Sequence, residues 1–230
     1  MPQSSKKAIS YSQLSKYETC PKQYYHTTIR KDFKESFGEA AEAGKRAHKA
    51  LELYIGKGKP LPSELRHLGD ENIITKFKQI ADSGRAEILV EQQLAITEDF
   101  QPTSWFGKNV WFRAIIDLAI IRGERVTIVD YKTGKRRTPL DMSQLEICAA
   151  ILSLVRPELT TFEVGFVWTT QKCKLDRTFL AKDDMKRVWN EVMPRDARLQ
   201  HAVLHTEFPP EPSGLCRKHC PVTTCPHNGE

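Results

Sequence analysis

Two apolar segments joined by a short polar turn, each carrying one acid, constrain this chain more than any other feature. Trp111 to Ile121 is rich in isoleucine, alanine and aromatic residues yet holds Asp117, and Val126 to Val129 runs directly into Asp130-Tyr131-Lys132-Thr133-Gly134-Lys135. Arg122-Gly123-Glu124-Arg125 between them has the glycine and the polarity of a hairpin turn. Asp117 precedes Arg122 by five residues and Asp130 follows Arg125 by five, so antiparallel pairing sets the two acids near each other across the ladder. Carboxylates in half-buried strands are costly unless paired or bound to a cation. Lys132, two residues past Asp130, lies on the same strand face and offsets part of the repulsion. The set suits a hard divalent cation and an activated water. The plain alternative is a surface hairpin with ordinary salt bridges.

The remaining periodicities predict an α/β domain. Ser10 to Ile29 carries Leu14, Tyr17, Tyr24 and Tyr25 at helical spacing, interrupted near Cys20-Pro21. In Ala40 to Ile55, the residues Ala43, Ala47, Ala50, Leu51 and Tyr54 follow the 3.6-residue period up to Gly56 and Gly58. A third helix is expected over Glu71 to Ala81, then strands over Ala86 to Thr97, Val110 to Ile121 and Val126 to Tyr131. A helix from Met142 to Leu154, strands over Thr161 to Thr169 and Lys174 to Leu180, and a helix from Lys182 to Arg198 with a kink at Pro194 complete the pattern. This order implies a mixed central sheet flanked by helices. It divides into an N-terminal helical layer over 1–85, a core over 86–200 and a cysteine-rich tail over 201–230 that packs with the Cys20 region, all in a single compact unit.

A chain of 230 residues with 40% hydrophobic content can bury one substantial core. No apolar run approaches the roughly 20 residues that cross a bilayer, and Met1 to Lys7 is too polar for a signal peptide, so a cytoplasmic protein without a membrane partner is expected. A formal net charge of +6 favours a polyanionic partner.

With these residues in view, the sequence resembles the PD-(D/E)XK nuclease superfamily and, within it, the RecB-type branch, whose core reads acid, hairpin, Asp-Tyr-Lys-Thr-Gly. Gly44-Lys45-Arg46-Ala47-His48 is similar to the Gly-x-x-x-His helix that supplies a further metal ligand there, and Gln144 to the glutamine of the helix after the sheet. Cys148 stands where the branch usually has a tyrosine. The resemblance implies a restriction-endonuclease-like core in which Asp117, Asp130, the backbone carbonyl of Tyr131 and His48 hold one or two Mn2+ or Mg2+ ions. Lys132 then either binds the phosphate as an ammonium or accepts a proton, and Gln144 orients the lysine, the water or the DNA backbone. The small residues at 44 and 47 leave room beside His48, and its imidazole tilts preference toward manganese. Glu91 is a weaker candidate for an outer ligand, because a lone acid in a strand usually faces solvent.

Lys135, Arg136 and Arg137 follow the Thr133-Gly134 turn and are expected to contact DNA at the mouth of the site, the alternative being a solvated loop. Trp105, Phe106 and Trp111 are candidates for base stacking, with core packing expected of at least one.

Cysteines form a second constellation. Cys216, Cys220 and Cys225 crowd the tail as C-x3-C-x4-C, and Cys20 lies near the N-terminus. Clustered cysteines in a cytosolic chain point to metal rather than disulfides, and Cys20 can supply a fourth ligand. Members of the RecB-type branch hold a 4Fe-4S cluster with one N-terminal and three C-terminal cysteines, their tail commonly running C-x2-C-x5-C; here His219 occupies the usual middle slot. Zn2+ completed by His219 and His227 is the alternative.

The resemblance implies a divalent-metal-dependent deoxyribonuclease, specifically an exonuclease acting on DNA ends or single strands in recombination, replication or repair. Stand-alone enzymes of phages and of CRISPR adaptation are similar in size, which implies a bacterial cell or a phage-infected host. No Gly-x-x-x-x-Gly-Lys-Ser/Thr loop occurs, so unwinding would come from a helicase or recombination partner. The competing expectation is a non-catalytic DNA-binding or scaffold protein with a structural metal site.

Overall fold

A computed structural model describes residues 8–35, 38–136 and 138–230. The chain divides into two compact units, one comprising Glu39–Trp189 and the other Ile9–Gly38 with Asn190–Glu230. This division differs from the one drawn along the sequence: the helices after Gly38 go with the sheet, and the first helices go with the tail. Long-range apolar burial, which chain order does not express, sets the grouping.

The first unit is built on a six-stranded mixed sheet flanked by helices, in the order β2-β1-β3-β4-β5-β6. Its strands are β1 (Glu87–Ile96), β2 (Pro102–Thr103), β3 (Phe112–Arg122), β4 (Arg125–Lys132), β5 (Thr161–Trp168) and β6 (Lys174–Ala181). β3 and β4 form the expected hairpin, with Arg122 opposite Arg125 and Gly123 at φ 58°, a turn conformation that favours glycine. β5 runs parallel to β4, and the crossover between them contains a helix over Ser143–Val155. That helix is buried on almost every side, from Leu145 to Ser153, which explains its nearly continuous apolar sequence.

Two further helices of this unit, Glu39–Lys57 and Ile73–Asp82, share a core with the sheet. Ala47, Leu51, Ile55, Ile74 and Phe77 meet Leu118, Ile120, Val129, Tyr131 and Val167 there. The Ile73–Asp82 helix starts after the expected Glu71 because the Asn72 side chain accepts from the Ile74 and Thr75 amides at 2.7 and 3.4 Å.

In the second unit, helices over Tyr11–Thr19 and Pro21–Tyr24 flank the predicted break at Cys20, and a π-helical stretch over Tyr25–Arg30, invisible to periodicity, follows. From here the α-helices are α1 (Tyr11–Thr19), α2 (Pro21–Tyr24), α3 (Glu39–Lys57), α4 (Ile73–Asp82), α5 (Ser143–Val155) and α6 (Met185–His205). The unit boundary falls within α6. α6 continues through Pro194 to His205 instead of stopping at Arg198. Proline removes one backbone hydrogen bond, but burial of Leu199 and Ala202 sustains the last turns. Among the described residues no helix is long and apolar enough to cross a membrane.

Candidate active site

β3 and β4 part at the point where their acids would pair. The ladder ends at Leu118 opposite Val129, one rung short of Asp117 and Asp130. In place of a further rung, the Tyr131 amide donates to Asp117 Oδ2 at 2.9 Å. The same oxygen lies 3.2 Å from His48 Nδ1. The splayed strand ends therefore expose a cleft between two acids on the sheet and an imidazole from α3.

Gly44 explains how α3 comes so close. A Cβ there would meet Thr133 Oγ1 at 3.0 Å, so any larger residue would require the Thr133 side chain to give way for the helix to lie this close to the segment that leaves β4. One turn later, on the same helix face, stands His48. Its ring packs edge-on to Tyr131 at 5.8 Å between centroids, and the Tyr131 backbone accepts a hydrogen bond from it. Burial disfavours charge on His48, but the hydrogen bond and charge of Asp117, with Asp130 behind it, outweigh this and raise its pKa.

Opposite α3, the side chains form a closed relay. Gln144, in the first turn of α5, donates from Nε2 to Asp130 Oδ1 at 2.6 Å and accepts from Lys132 Nζ at 2.9 Å. Lys132 Nζ lies 2.8 Å from Asp130 Oδ2 and 4.8 Å from the centroid of the Phe166 ring. Asp130 Oδ2 is buried, and the Lys132 ammonium is the group that faces it. Burial foremost, then the Asp117 carboxylate, pushes the Asp130 pKa up to about 6, against the pull of Lys132 and His48.

Glu91 is the residue that sequence reasoning undervalued. It lies in β1 at the rung between Val90–Leu118 and Gln92–Ile116, the position facing Asp117, and it is half-buried. Its φ is 48°, a left-handed conformation rare for glutamate and often retained at functional sites. Ligand atoms of His48, Glu91 and Asp117 all lie within 4.8 Å of one another, close enough for one cation. Burial and the Asp117 charge raise its pKa. This O/N donor set fits a divalent ion that accepts oxygen and imidazole ligands, and Asp130, held by Gln144 and Lys132, lies outside the three that come within 4.8 Å of one another. A strand carries no signal for such a role beyond one acid at the right parity.

The other sequence candidates fall out differently. Arg136 grips Asp176 of β6 with Nε at 2.5 Å and Nη2 at 3.1 Å, while Asp176 also accepts from Trp168 Nε1 at 2.8 Å. The Arg136 guanidinium is thus engaged within the protein, Lys135 is exposed, and Arg137 lies outside the described residues. Trp111 is buried against Phe100 and Trp189, whereas Phe106 is 86% exposed. Cys148, in the tyrosine position, is buried with its sulfur 4.0 Å from the Ile115 carbonyl, and burial raises its pKa.

In the second unit Cys20, Cys216, Cys220 and Cys225 line one small cavity, walled also by Pro210, Pro212 and Val222. Backbone amides of Gln23 and Glu211 point at Cys20 Sγ, each at 3.5 Å, and that of Ser213 at Cys216 Sγ at 3.4 Å. Burial raises the Cys220 pKa, and the other three thiols add to the rise. Among the described residues, only the His48 set has three donors all within 4.8 Å.

The sequence profile of the PD-(D/E)XK nuclease superfamily matches residues 8–226. The chain belongs to that superfamily. Its members are nucleases that use divalent metals, in keeping with the donor set at the splayed strands. No curated protein sequence matches the chain significantly. Among solved structures, a candidate exonuclease from Eubacterium rectale is 12% identical with a TM-score of 0.52, covering 91% of this chain and 85% of its own. A protein named SSO0001 is 14% identical with a TM-score of 0.45, covering 97% and 88% respectively. The first likeness, at this identity, shows a shared fold alone.

Proposed function

We propose that this superfamily member is a RecB-type deoxyribonuclease that removes nucleotides from DNA ends or single strands, with its metal site at Asp117, Asp130, His48 and the Tyr131 carbonyl. The observation that carries the reading is the His48, Glu91 and Asp117 donor set, whose ligand atoms lie within 4.8 Å of one another, with the buried Asp130 carboxylate close enough for Asp117 to raise its pKa. Bound Mn2+ or Mg2+ supplies an activated water and stabilises the charge that builds on the scissile phosphate. Glu91 adds a third carboxylate to this site. Asp117 ties the β4 backbone to His48, which keeps the imidazole at the acidic cleft. Lys132 acts as an ammonium, as its contacts with a carboxylate and an amide oxygen support, and binds a non-bridging phosphate oxygen. Gln144 holds Asp130 and Lys132 in register and is a positioning residue. Exposed Lys135 supplies charge along the DNA backbone, and Arg137 is proposed with it; Arg136 serves mainly to fasten that loop to Asp176.

We assign Cys20, Cys216, Cys220 and Cys225 to a 4Fe-4S cluster that joins the two ends of the chain. Their shared cavity, their mutual electrostatic repulsion and the amides aimed at the sulfurs support the assignment. Tetrahedral Zn2+ held by the tail thiols with His219 or His227 is the alternative.

End-labelled linear single- and double-stranded DNA, incubated with Mn2+, Mg2+ or EDTA, tests the reading. Stepwise loss of nucleotides from linear DNA with either ion, resistance of circular DNA and silence in EDTA are expected. Full activity of Asp130→Asn would defeat it. An anaerobic preparation is expected to be brown, with a broad band near ~400 nm, and a colourless zinc-loaded sample would overturn the cluster.

A further inference from the structure

The sheet face that carries Asp117 continues beyond the carboxylates through an exposed stretch at Ile115 and Gln93 to the part-buried Arg113, beside the buried Ala95. Along β3 the residues Asp117, Ile115 and Arg113 alternate onto one face, and their register partners on β1 are Gln93 opposite Ile115 and Ala95 opposite Arg113. Ile115 is 42% exposed and Gln93 is exposed, although both sit in the interior of long paired strands. At the far end Trp105, from the segment between β2 and β3, lies over the Arg113 guanidinium, 5.2 Å from Cζ to the ring centroid. Phe106 beside it is 86% exposed. Arg113 Nε is buried with no hydrogen-bond partner among the described residues, so the guanidinium retains unused capacity for an anion.

These observations describe a floor with an anionic reaction centre at one end and a cation with two aromatic rings at the other. Arg113 lies four residue steps along the strand from Asp117, about 13 Å at 3.3 Å per residue. That length spans roughly four nucleotides of stacked strand, or about half as many when extended. A duplex would have to pass as a rigid body, whereas a single strand can lay its bases on aromatic faces and its phosphates along the cation.

We infer that the β1–β3 face between Asp117 and Trp105 is the track of a single-stranded DNA segment, with one base stacked on Trp105 and Phe106 and a phosphate held by Arg113. The inference rests on the DNA-hydrolase reading and names the form in which substrate enters.

Anisotropy of labelled oligothymidylates in EDTA reads binding without turnover. For the wild-type protein, affinity is expected to step up between two and six nucleotides. Trp105→Ala should erase the step and weaken binding of a twelve-mer roughly fivefold to a hundredfold, the loss of one stacked base. Trp105→Phe should restore most of it, and Phe179→Ala, at an exposed ring on β6, should leave it as it was. Wild-type affinity in Trp105→Ala, given an unchanged melting temperature, overturns the track. Tighter binding of oligouridylate than oligothymidylate overturns its assignment to DNA. A length step without hydrolysis in Mn2+ leaves the track standing and defeats the nuclease reading instead.

Discussion

Asp130 concentrates the conflict between stability and chemistry in a single side chain. In the metal-free protein it is buried, faces a second acid and has a pKa near 6, so folding favours its protonated form. The folded state therefore holds a proton that the unfolded chain releases between about pH 4 and 6, and stability falls as pH rises through that window. Two units of displacement correspond to at most about 3 kcal/mol. Asp130→Asn is accordingly expected to raise the melting temperature of metal-free protein at pH 7 and to gain little at pH 4, while abolishing hydrolysis. Mn2+ should stabilise the wild type and leave the variant unmoved; calorimetry with and without the ion checks both. Gln144→Ala removes the bridge between Asp130 and Lys132 without touching the phosphate. A loss of roughly 10- to 100-fold in kcat is expected, with Gln144→Glu failing to rescue because its carboxylate repels Asp130. Both residues were legible in the sequence, since a motif records residue types. Their hydrogen bonds were not.

Elements converge here because each carries one local device. α3 approaches β4 through Gly44, and a Cβ at that position would press on Thr133 Oγ1 at 3.0 Å. Gly44→Val is thus expected to push the helix off the strand and withdraw His48. Titration with Mn2+ should register this as a roughly 10- to 100-fold weaker affinity, a loss His48→Ala should match. β1 contributes a kinked rung. Glycine at 91 would relieve the left-handed φ of 48°, so Glu91→Gly should keep or raise the melting temperature yet weaken Mn2+ binding, whereas Glu91→Gln should weaken binding alone. Helix and strand periods located these elements to within a few residues, because apolar burial imposes its period on the sequence. The π-helical stretch and the continuation of α6 past Arg198 left no such trace, since both depend on packing that outweighs local preference.

At the scale of the whole molecule, the chain folds its two ends into one unit and its middle into another. The proposed cluster, held by Cys20 and the tail thiols, would close a loop of almost the entire sequence, where a crosslink most restricts the unfolded chain. Cys20→Ser should therefore bleach the protein and speed amide exchange in Ile9–Gly38 and Asn190–Glu230. The sheet of Glu39–Trp189 should stay protected, and exchange mass spectrometry distinguishes the two. Uniform loss of protection would mean that the sheet unit cannot hold without the cluster. By itself the sequence determined the hairpin register that opposes Asp117 to Asp130, the lysine at strand parity, the glycine before His48 and the family they mark, because spacing along one strand or helix is a local property. Only the tertiary structure decided that Glu91 comes within reach of Asp117 and His48 and that Arg136 turns inward to Asp176. Those outcomes depend on which distant segments bury their apolar faces together, and no local period encodes that choice.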